Sequence, residues 1–157
     1  MRQLELRRHA RRDPNADRLS ADGRAQAEDV GRAAVATFDV VFVSPAERAA
    51  ETAAWFLRGA AQQLPDHAVV PGLGGQDSSG GSVEGMAAGV RALLQRVPEG
   101  GRGLAISHTP LVERAALGLT GVEIDPLGEC EGVLVTLSDD GSLRVDELRL
   151  GRDRSQP

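Results

Sequence analysis

Two histidines and two arginines lie just beyond the ends of apolar segments that have the pattern of β-strands. They are Arg8, His9, Arg48 and His108. His9 follows a predicted strand over residues 3–8, and His108 follows another over residues 103–107. In an open α/β sheet, ligands bind in the crevice at the carboxyl ends of the strands. Because guanidinium groups bind anions and a neutral imidazole is a nucleophile, the pattern predicts an anion site with a nucleophile inside it.

Phosphoryl transfer is the chemistry that this set of side chains suits. Arg48 lies in the first turn of a predicted helix, where unpaired N–H groups favour an anion. Its guanidinium can hold two phosphate oxygens, and Arg8 can hold the same group from the neighbouring strand end. His9 then attacks phosphorus in its neutral form, which the nearby arginines favour. His108 donates a hydrogen bond to a phosphoryl oxygen. Because the arginines supply the positive charge, we expect no metal ion and no cofactor.

The composition is that of a small globular domain that does not bind polyanions. The chain has 157 residues, of which we assign 1–150 to one domain and 151–157 to a polar tail. The net charge is -5, and there are three Phe, one Trp and no Tyr, which argues against nucleic acid or a membrane as partner. No apolar run resembles a signal peptide or a membrane span, and Cys130 is the only cysteine, so we expect a cytoplasmic protein. The sequence makes no prediction of oligomeric state.

Apolar periodicity predicts alternating strands and helices along the domain. The predicted strands cover residues 3–8, 39–43, 67–70 and 103–107, followed by a hairpin of 132–137 and 142–148. The predicted helices cover residues 21–37, 45–59, 83–97 and 110–119. We therefore expect an α/β fold, a single-domain three-layer α/β/α sandwich with a mostly parallel central sheet.

Three of the predicted helices have recognisable start signals. Ser20 is the expected N-cap of the first helix. Ser44 is expected to cap the second helix, with Pro45 at the first helical position and Glu47 completing a capping box. The cap-plus-proline pattern recurs at Thr109-Pro110, before the last helix.

Four motifs, in this order, resemble those of a known family. The first strand ends in Arg8-His9-Ala10, and residues 19–27 form a helix start that reads Leu-Ser-Ala-Asp-Gly-Arg-Ala-Gln-Ala. Residues 44–53 read Ser-Pro-Ala-Glu-Arg-Ala-Ala-Glu-Thr-Ala, and the fourth strand ends in Ser107-His108. Together, over residues 3 to about 137, they resemble the histidine phosphatase superfamily, the phosphoglycerate-mutase-like enzymes. The small size is most similar to the compact bacterial phosphohistidine phosphatases.

The resemblance implies a metal-independent phosphatase acting on a phosphomonoester or a phosphohistidine. It implies that His9 is the phosphorylated nucleophile and that Arg8, Arg48 and His108 complete the phosphate pocket. Asn15 falls where many members carry a phosphate-contacting Asn. The expected partner is a phosphorylated small molecule or a phosphoprotein. Two alternatives stay open: a module that binds phosphate or a phosphoprotein without turnover, and a phosphomutase.

Two residues near the predicted nucleophile depart from the family pattern. Ala10 replaces the usual glycine, which is acceptable only if its φ is negative. Arg7 stands where an apolar residue is common, so we expect one face of the first strand to be wetter than usual.

The general acid that protonates the leaving group is not marked by a motif. Asp77, in the glycine-rich loop of residues 72–82, is the first candidate, although a plain loop residue is the commoner case. Glu84 is the second candidate and Asp13 the third. A phosphohistidine needs less help from an acid than an alkyl ester does, so a weak acid narrows the range of substrates rather than abolishing activity.

Overall fold

The computed structural model describes residues 1–34 and 36–151, which form one sheet with helices on both faces. In chain order the elements are β1 (Arg2–Arg8), α1 (Ala21–Arg32), β2 (Val40–Val43), α2 (Glu47–Gly59), α3 (Val83–Arg96), β3 (Arg102–Ser107), α4 (Leu111–Thr120), β4 (Gly132–Leu137) and β5 (Leu143–Leu148). A short 3-10 helix, Pro71–Gly74, precedes α3. Most of the predicted polar tail, residues 152–157, lies outside the described residues. Within the described ranges, no helix has the length and apolar character needed to cross a bilayer.

The five strands of the described chain lie in the order β2-β3-β1-β4-β5. β3 pairs in parallel with β1 and with β2, because helical connections return the chain to the same end of the sheet. β4 is antiparallel to β1, and the hairpin that follows makes β5 antiparallel to β4. The α/β class is confirmed. The sheet is mixed rather than mostly parallel, because the β4–β5 hairpin adds two antiparallel pairings to the two parallel ones.

Apolar side chains that alternate along the strands fill a core on each face of the sheet. On β1, Leu4 and Leu6 belong to a cluster that also contains residues of α3 and α4. On β3, Leu104 and Ile106 belong to a second cluster, which they share with α2. α1 packs closely on α2, since a Cβ added at Gly31 would lie 1.8 Å from a backbone oxygen of α2. The three expected layers are therefore present.

α2 begins two residues later than the sequence predicts. Its N-cap position is Ala46, whose side chain has no hydrogen-bond acceptor. The hydroxyl of Ser44 accepts a hydrogen bond from the N–H of Ala46 and contacts the imidazole of His108. The predicted capping box of Ser44, Pro45 and Glu47 is therefore wrong, because Ser44 is committed to the histidine at a strand end rather than to the helix.

α1 and α4 also differ in part from their predicted boundaries. Ser20 caps α1 as predicted, and its Oγ accepts from the N–H of Gly23 at 3.0 Å. α1 nevertheless ends at Arg32 rather than near residue 37, because a turn begins at its C-cap, Ala33. α4 begins at Leu111, and the hydroxyl of Thr109 bonds to a side chain of α4 instead of capping its backbone. The predicted helix start at Thr109-Pro110 is therefore wrong.

The predicted strand over residues 67–70 does not form. Only Val69 makes a bridge, in parallel with Val43 at the edge of β2. His67 has a φ of 60°, which interrupts an extended conformation, and Val69 is 57% exposed. The segment therefore lies along the edge of the sheet without extending it.

The face of β1 toward α2 carries buried charges instead of the expected wet surface. Glu5 is 2% exposed, and one of its oxygens accepts from Nε of Arg7 at 2.7 Å while the other accepts from Arg102 at 2.9 Å. Arg7 also donates to the carbonyl of Cys130 at 2.6 Å. These bonds compensate the charges inside the fold. The thiol of Cys130 is fully buried, and burial raises its pKa to about 12.

Candidate active site

Three neighbouring strands bring the predicted side chains to one edge of the sheet. β1 and β3 lie side by side with Arg8 opposite Ser107, so His9 and His108 emerge next to each other. β2 lies on the other side of β3 and leads into α2, whose first turn carries Arg48. The centroids of the two imidazole rings are 5.3 Å apart. The structure thus brings both histidines and Arg48 together, as the sequence predicts.

His9 is held so that one ring nitrogen is available to react. Its Nδ1 lies 2.7 Å from the carbonyl oxygen of Ala10, and because a carbonyl only accepts, Nδ1 carries the hydrogen. Nε2 therefore has the lone pair, and it lies 3.4 Å from Nε of Arg48. Burial, together with the charges of Arg48 and Arg8, lowers the pKa of His9 below 6.5, so the ring is neutral at pH 7. A neutral imidazole with a lone pair on Nε2 can act as a nucleophile.

The backbone beside His9 is fixed by Thr52, a buried residue of α2. The Thr52 hydroxyl accepts from the N–H of Ala10 at 3.0 Å and donates to the carbonyl of Arg48 at 2.8 Å. Ala10 is fully buried, and it is absent from the non-glycine residues with positive φ in the described chain, which are Ala61, His67 and Cys130. The condition for an alanine at this position is therefore met.

The guanidinium of Arg48 lies between the two imidazoles and a carboxylate. Its Nε faces Nε2 of His9, and its Nη2 lies 3.3 Å from Nδ1 of His108. Its Nη1 donates to the carboxylate of Asp17 at 2.8 Å. Nε and Nη2 share one edge of the guanidinium plane, and such an edge forms two parallel hydrogen bonds to a phosphate or carboxylate. The edge of Arg48 that suits an anion is therefore the one that faces both histidines.

His108 is held by the hydroxyl of Ser44, whose Oγ lies 2.5 Å from Nε2. An arginine only donates, so Nδ1 of His108 accepts from Arg48 and, in the neutral ring, Nε2 carries the hydrogen. Burial lowers the pKa of His108 to about 4, with the charges of Arg48 and His9 adding to the effect. A hydroxyl both donates and accepts, so Ser44 can hold either tautomer of this ring.

Arg8 has a buried donor that no described residue satisfies. Its Nη1 donates to the carbonyl of Leu127 at 2.7 Å, but its Nε is buried without an acceptor. Leaving a buried donor unpaired costs about 1–3 kcal/mol. The charge of Arg8 contributes to lowering the pKa of His9. Arg8 does not line the cleft beside Arg48 and His108, so its predicted contact with the phosphoryl group stays a prediction.

A cleft of about 520 Å³ opens in front of Arg48 and His108. Asp17, Ser44 and Gln76 also line it. A larger cavity of about 730 Å³ lies at the opposite end of the strands, where β1 begins, beside Arg2 and Asp139. Its lining contains no histidine. We place the site at the smaller cleft because Arg48 and His108 line it and the ring of His9 lies 5.3 Å from that of His108. Within residues 1–34 and 36–151, no three His, Cys, Asp or Glu side chains are grouped as metal ligands.

The structure does not bring Asp77 to this cleft. Its carboxylate accepts from the N–H and the hydroxyl of Ser79, and it lines a separate cavity of about 230 Å³ beside α3. Gln76 occupies the cleft wall instead. The predicted acid role of Asp77 therefore has no support from the geometry.

The other loop candidates also lie outside the cleft lining. Glu84 is exposed in the first turn of α3, and the carboxylate of Asp13 pairs with Arg18. Asn15 is exposed, and its N–H donates to the carboxylate of Asp13 within the same loop. The predicted contact between Asn15 and the substrate is thus not supported, and Asp17, from the same loop, reaches Arg48 instead.

The sequence does not predict the contacts that four other residues make at the site. Ser44 and Thr52 lie within the motif of residues 44–53, so the motif contains them without indicating their contacts. Asp17 and Gln76 lie in loops, where no periodicity shows which side chain turns toward the cleft. The one available signal for Asp17 is its charge, opposite to that of the arginine that it contacts.

Sequence comparison agrees with this geometry. The model of the histidine phosphatase superfamily (branch 1) matches residues 4–98, more than half of the chain. The chain belongs to this superfamily. Among curated protein sequences, none matches the chain significantly.

Solved structures of several phosphatases share the fold. The protein histidine phosphatase SixA, complexed with tungstate, matches with a TM-score of 0.72 at 26% identity, over 94% of this chain and 96% of that one. A phosphoserine phosphatase from Entamoeba histolytica, in complex with phosphoserine, matches with a TM-score of 0.75 at 17% identity, over 94% and 97%. A mycobacterial glucosyl-3-phosphoglycerate phosphatase complexed with VO3 matches with a TM-score of 0.67 at 18% identity, over 96% and 100%. At their low identity, the last two show the fold alone.

Proposed function

We propose that this protein is a phosphatase that hydrolyses a phosphomonoester or a phosphohistidine through a covalent phosphohistidine on His9. One observation carries the proposal: Arg48 directs one donor at Nε2 of His9 and a second, on the same edge, at Nδ1 of His108. A phosphoryl group bound to that edge lies directly against the nucleophilic nitrogen. Membership of the superfamily supports the same chemistry.

In the first step, the lone pair of Nε2 of His9 forms a bond to phosphorus while the bond from phosphorus to the leaving atom breaks. The leaving group departs with that electron pair and takes up a proton from solvent. Nδ1 keeps its hydrogen bond to Ala10, which stabilises the positive charge that develops on the ring. Arg48 and Arg8 stabilise the negative charge on the equatorial oxygens.

In the second step, water attacks phosphorus, the phosphorus–nitrogen bond breaks, and the proton that the water loses passes to solvent. The electron pair returns to Nε2 of His9, and inorganic phosphate leaves. While the phosphoryl group occupies the edge of Arg48, Nδ1 of His108 no longer accepts from the guanidinium. The ring of His108 then changes tautomer by exchange with solvent, losing the proton on Nε2 and gaining one on Nδ1. Nδ1 donates to a phosphoryl oxygen, and the hydroxyl of Ser44 donates to Nε2.

The cleft favours substrates with good leaving groups. The carboxylate that lines the cleft, Asp17, is bound to Arg48, the loop contributes the amide of Gln76, and Asp77 turns away. A phosphohistidine or an aryl phosphate depends less on an acid than an alkyl phosphate does. We therefore propose these as the better substrates of this site.

Trapping of the phosphoenzyme tests the proposal. The purified protein is incubated with a 32P-labelled phosphohistidine peptide, and we expect an acid-labile, base-stable label. His9→Ala should lose the label and at least about a thousandfold in turnover, because the nucleophile is gone. His67→Asn is the matched control, since His67 is exposed and Asn tolerates its φ of 60°. Full turnover by His9→Ala would disprove the covalent mechanism.

A second candidate function is the binding of phosphate or a phosphoprotein without turnover. It is favoured by the absence of Asp13, Asp77 and Glu84 from the lining of the described cleft. Calorimetry that detects phosphate, together with no label and no released phosphate from any substrate tested, would support it. No contact in the described residues favours a phosphomutase.

A further inference from the structure

The two ends of the loop between β1 and α1 pair with each other, and hydrogen bonds attach the loop to α2. A bridge pairs Arg12 with Leu19 across the base of the loop. At the same base, the N–H of Leu19 donates to the carboxylate of Glu51 on α2 at 2.7 Å. A second fastening lies nearer the start of the helix, and it is made by Asp17.

Asp17 meets the first turn of α2 with both carboxylate oxygens. Oδ2 accepts from the N–H of Glu47 at 3.0 Å. Oδ1 accepts from the N–H of Arg48 at 3.2 Å and from Nη1 of the same residue at 2.8 Å. Because Ala46 provides no side-chain cap, Asp17 supplies the cap from a distant part of the chain.

These bonds determine which donors of Arg48 remain for a substrate. Nη1 is committed to Asp17, whereas Nε and Nη2 face His9 and His108. An arginine side chain has several rotatable bonds, and fixing it costs conformational entropy. The carboxylate of Asp17 fixes the guanidinium plane before any ligand arrives.

The ionisation of Asp17 suits this task. Burial raises the pKa of Asp17, but the hydrogen bonds from the Arg48 side chain and from the N–H groups of Glu47 and Arg48 outweigh burial and lower the pKa overall. An ionised carboxylate is a strong acceptor for a guanidinium and holds no proton for a leaving group.

We infer that Asp17 is a positioning residue, which turns Arg48 so that its Nε–Nη2 edge meets the phosphoryl group between His9 and His108. The inference rests on the proposed function. Asp17 binds Nη1 of Arg48, whereas the phosphoryl group binds Nε and Nη2. The carboxylate therefore stays on Nη1 while the substrate binds.

Steady-state kinetics with p-nitrophenyl phosphate and inhibition by orthovanadate test the inference. Asp17→Ala should lower kcat by about tenfold to a hundredfold and change KM by less than about threefold, because a displaced guanidinium weakens the transition state most. Vanadate inhibition should weaken as well. Asp17→Asn should recover part of kcat, since its amide oxygen still accepts from Nη1. Glu51→Ala is the matched control: it removes the other fastening without touching Arg48.

The outcomes separate positioning from other roles. Unchanged kcat in Asp17→Ala, equal losses in Asp17→Ala and Glu51→Ala, or tighter vanadate binding by Asp17→Ala would each overturn the inference. Tighter binding would mean that the carboxylate competes with the substrate. If circular dichroism shows that Asp17→Ala does not fold, Asp17→Asn decides, and a kcat equal to that of the unsubstituted protein overturns the inference.

Failure of the proposed function is recognised separately. The unsubstituted protein would then form no phosphoenzyme and release no phosphate. Calorimetry with inorganic phosphate tests positioning in that case: weaker binding by Asp17→Ala than by Glu51→Ala supports it, and equal binding overturns it.

Discussion

The two walls of the cleft are built in different ways. On one wall, His108 follows β3 and lies beside His9 at the end of the adjacent parallel strand, and hydrogen bonds to Ala10, Ser44 and Arg48 orient the two rings. On the other wall, Gln76 lies in a loop that turns through Pro71–Gly74 and a glycine with positive φ. The histidines proposed to bind and attack phosphorus are thus positioned by the sheet, whereas Gln76 is positioned by a loop. In the proposed mechanism, the nucleophile and the group that meets the leaving atom are therefore positioned by different parts of the fold.

The largest expected effect comes from removing Arg48, the α2 residue that contacts both histidines of the wall formed at the strand ends, which we call the strand wall. Arg48→Ala should lower kcat/KM by about a thousandfold or more, because the same guanidinium contacts both imidazoles. Steady-state kinetics with a phosphohistidine peptide measures this. Arg58→Ala is the matched control, since Arg58 lies on the same helix but pairs with Glu28 away from the cleft. A loss below tenfold would show that the strand wall does not carry the chemistry.

An intermediate effect is expected from the pH dependence of stability. The folded pKa of His108 is about 4, below the ordinary 6.5, so the neutral ring contributes stability above pH 6.5 that is lost as the pH falls toward 4. Between pH 7 and pH 5, His108→Asn should therefore lose less free energy of unfolding than the unsubstituted protein, by on the order of 1–2 kcal/mol. Urea unfolding at the two pH values measures the difference. Equal losses would mean that the ring is not buried in its neutral form.

The smallest effects are expected on the wall that contains Gln76, which we call the loop wall. Asp77→Asn should change kcat/KM by less than about twofold, because its carboxylate is bonded to Ser79 outside the cleft. Gln76→Glu places an acid where the structure has an amide, and it should raise the kcat for β-glycerophosphate relative to p-nitrophenyl phosphate by a few-fold. Both are measured by release of inorganic phosphate. A large loss in Asp77→Asn would restore Asp77 as the acid and remove the contrast between the walls.

The contrast between residues at strand ends and residues in loops also explains which site residues the sequence predicts well. Strand ends are marked by alternating apolar residues, and parallel pairing carries them to one edge, so His9 and His108 follow from the pattern. The position of Asp77 depends on turns that begin at Pro71 and include Gly75, whose φ is 69°. Local turns of this kind reverse the direction of a side chain without leaving any periodic signal.

The start of α2 shows a second limit of prediction from sequence, which concerns hydrogen-bond partners. Ser44, Pro45 and Glu47 satisfy every local rule for a helix cap, yet the cap comes from Asp17, far away in the sequence. A local rule fails here because the hydroxyl of Ser44 has a tertiary partner in His108. The sequence predicts the presence of these residues at the site, but not which partner each one takes.

The buried sulfur of Cys130 has a practical consequence. With a pKa of about 12 and no exposure to solvent, this native sulfhydryl does not react with maleimide reagents at neutral pH. A cysteine introduced at the exposed position of Asn15 is then the single labelled group on the molecule. A fluorophore attached there reports in real time on the segment that carries Asp17, without any need to replace a native residue first.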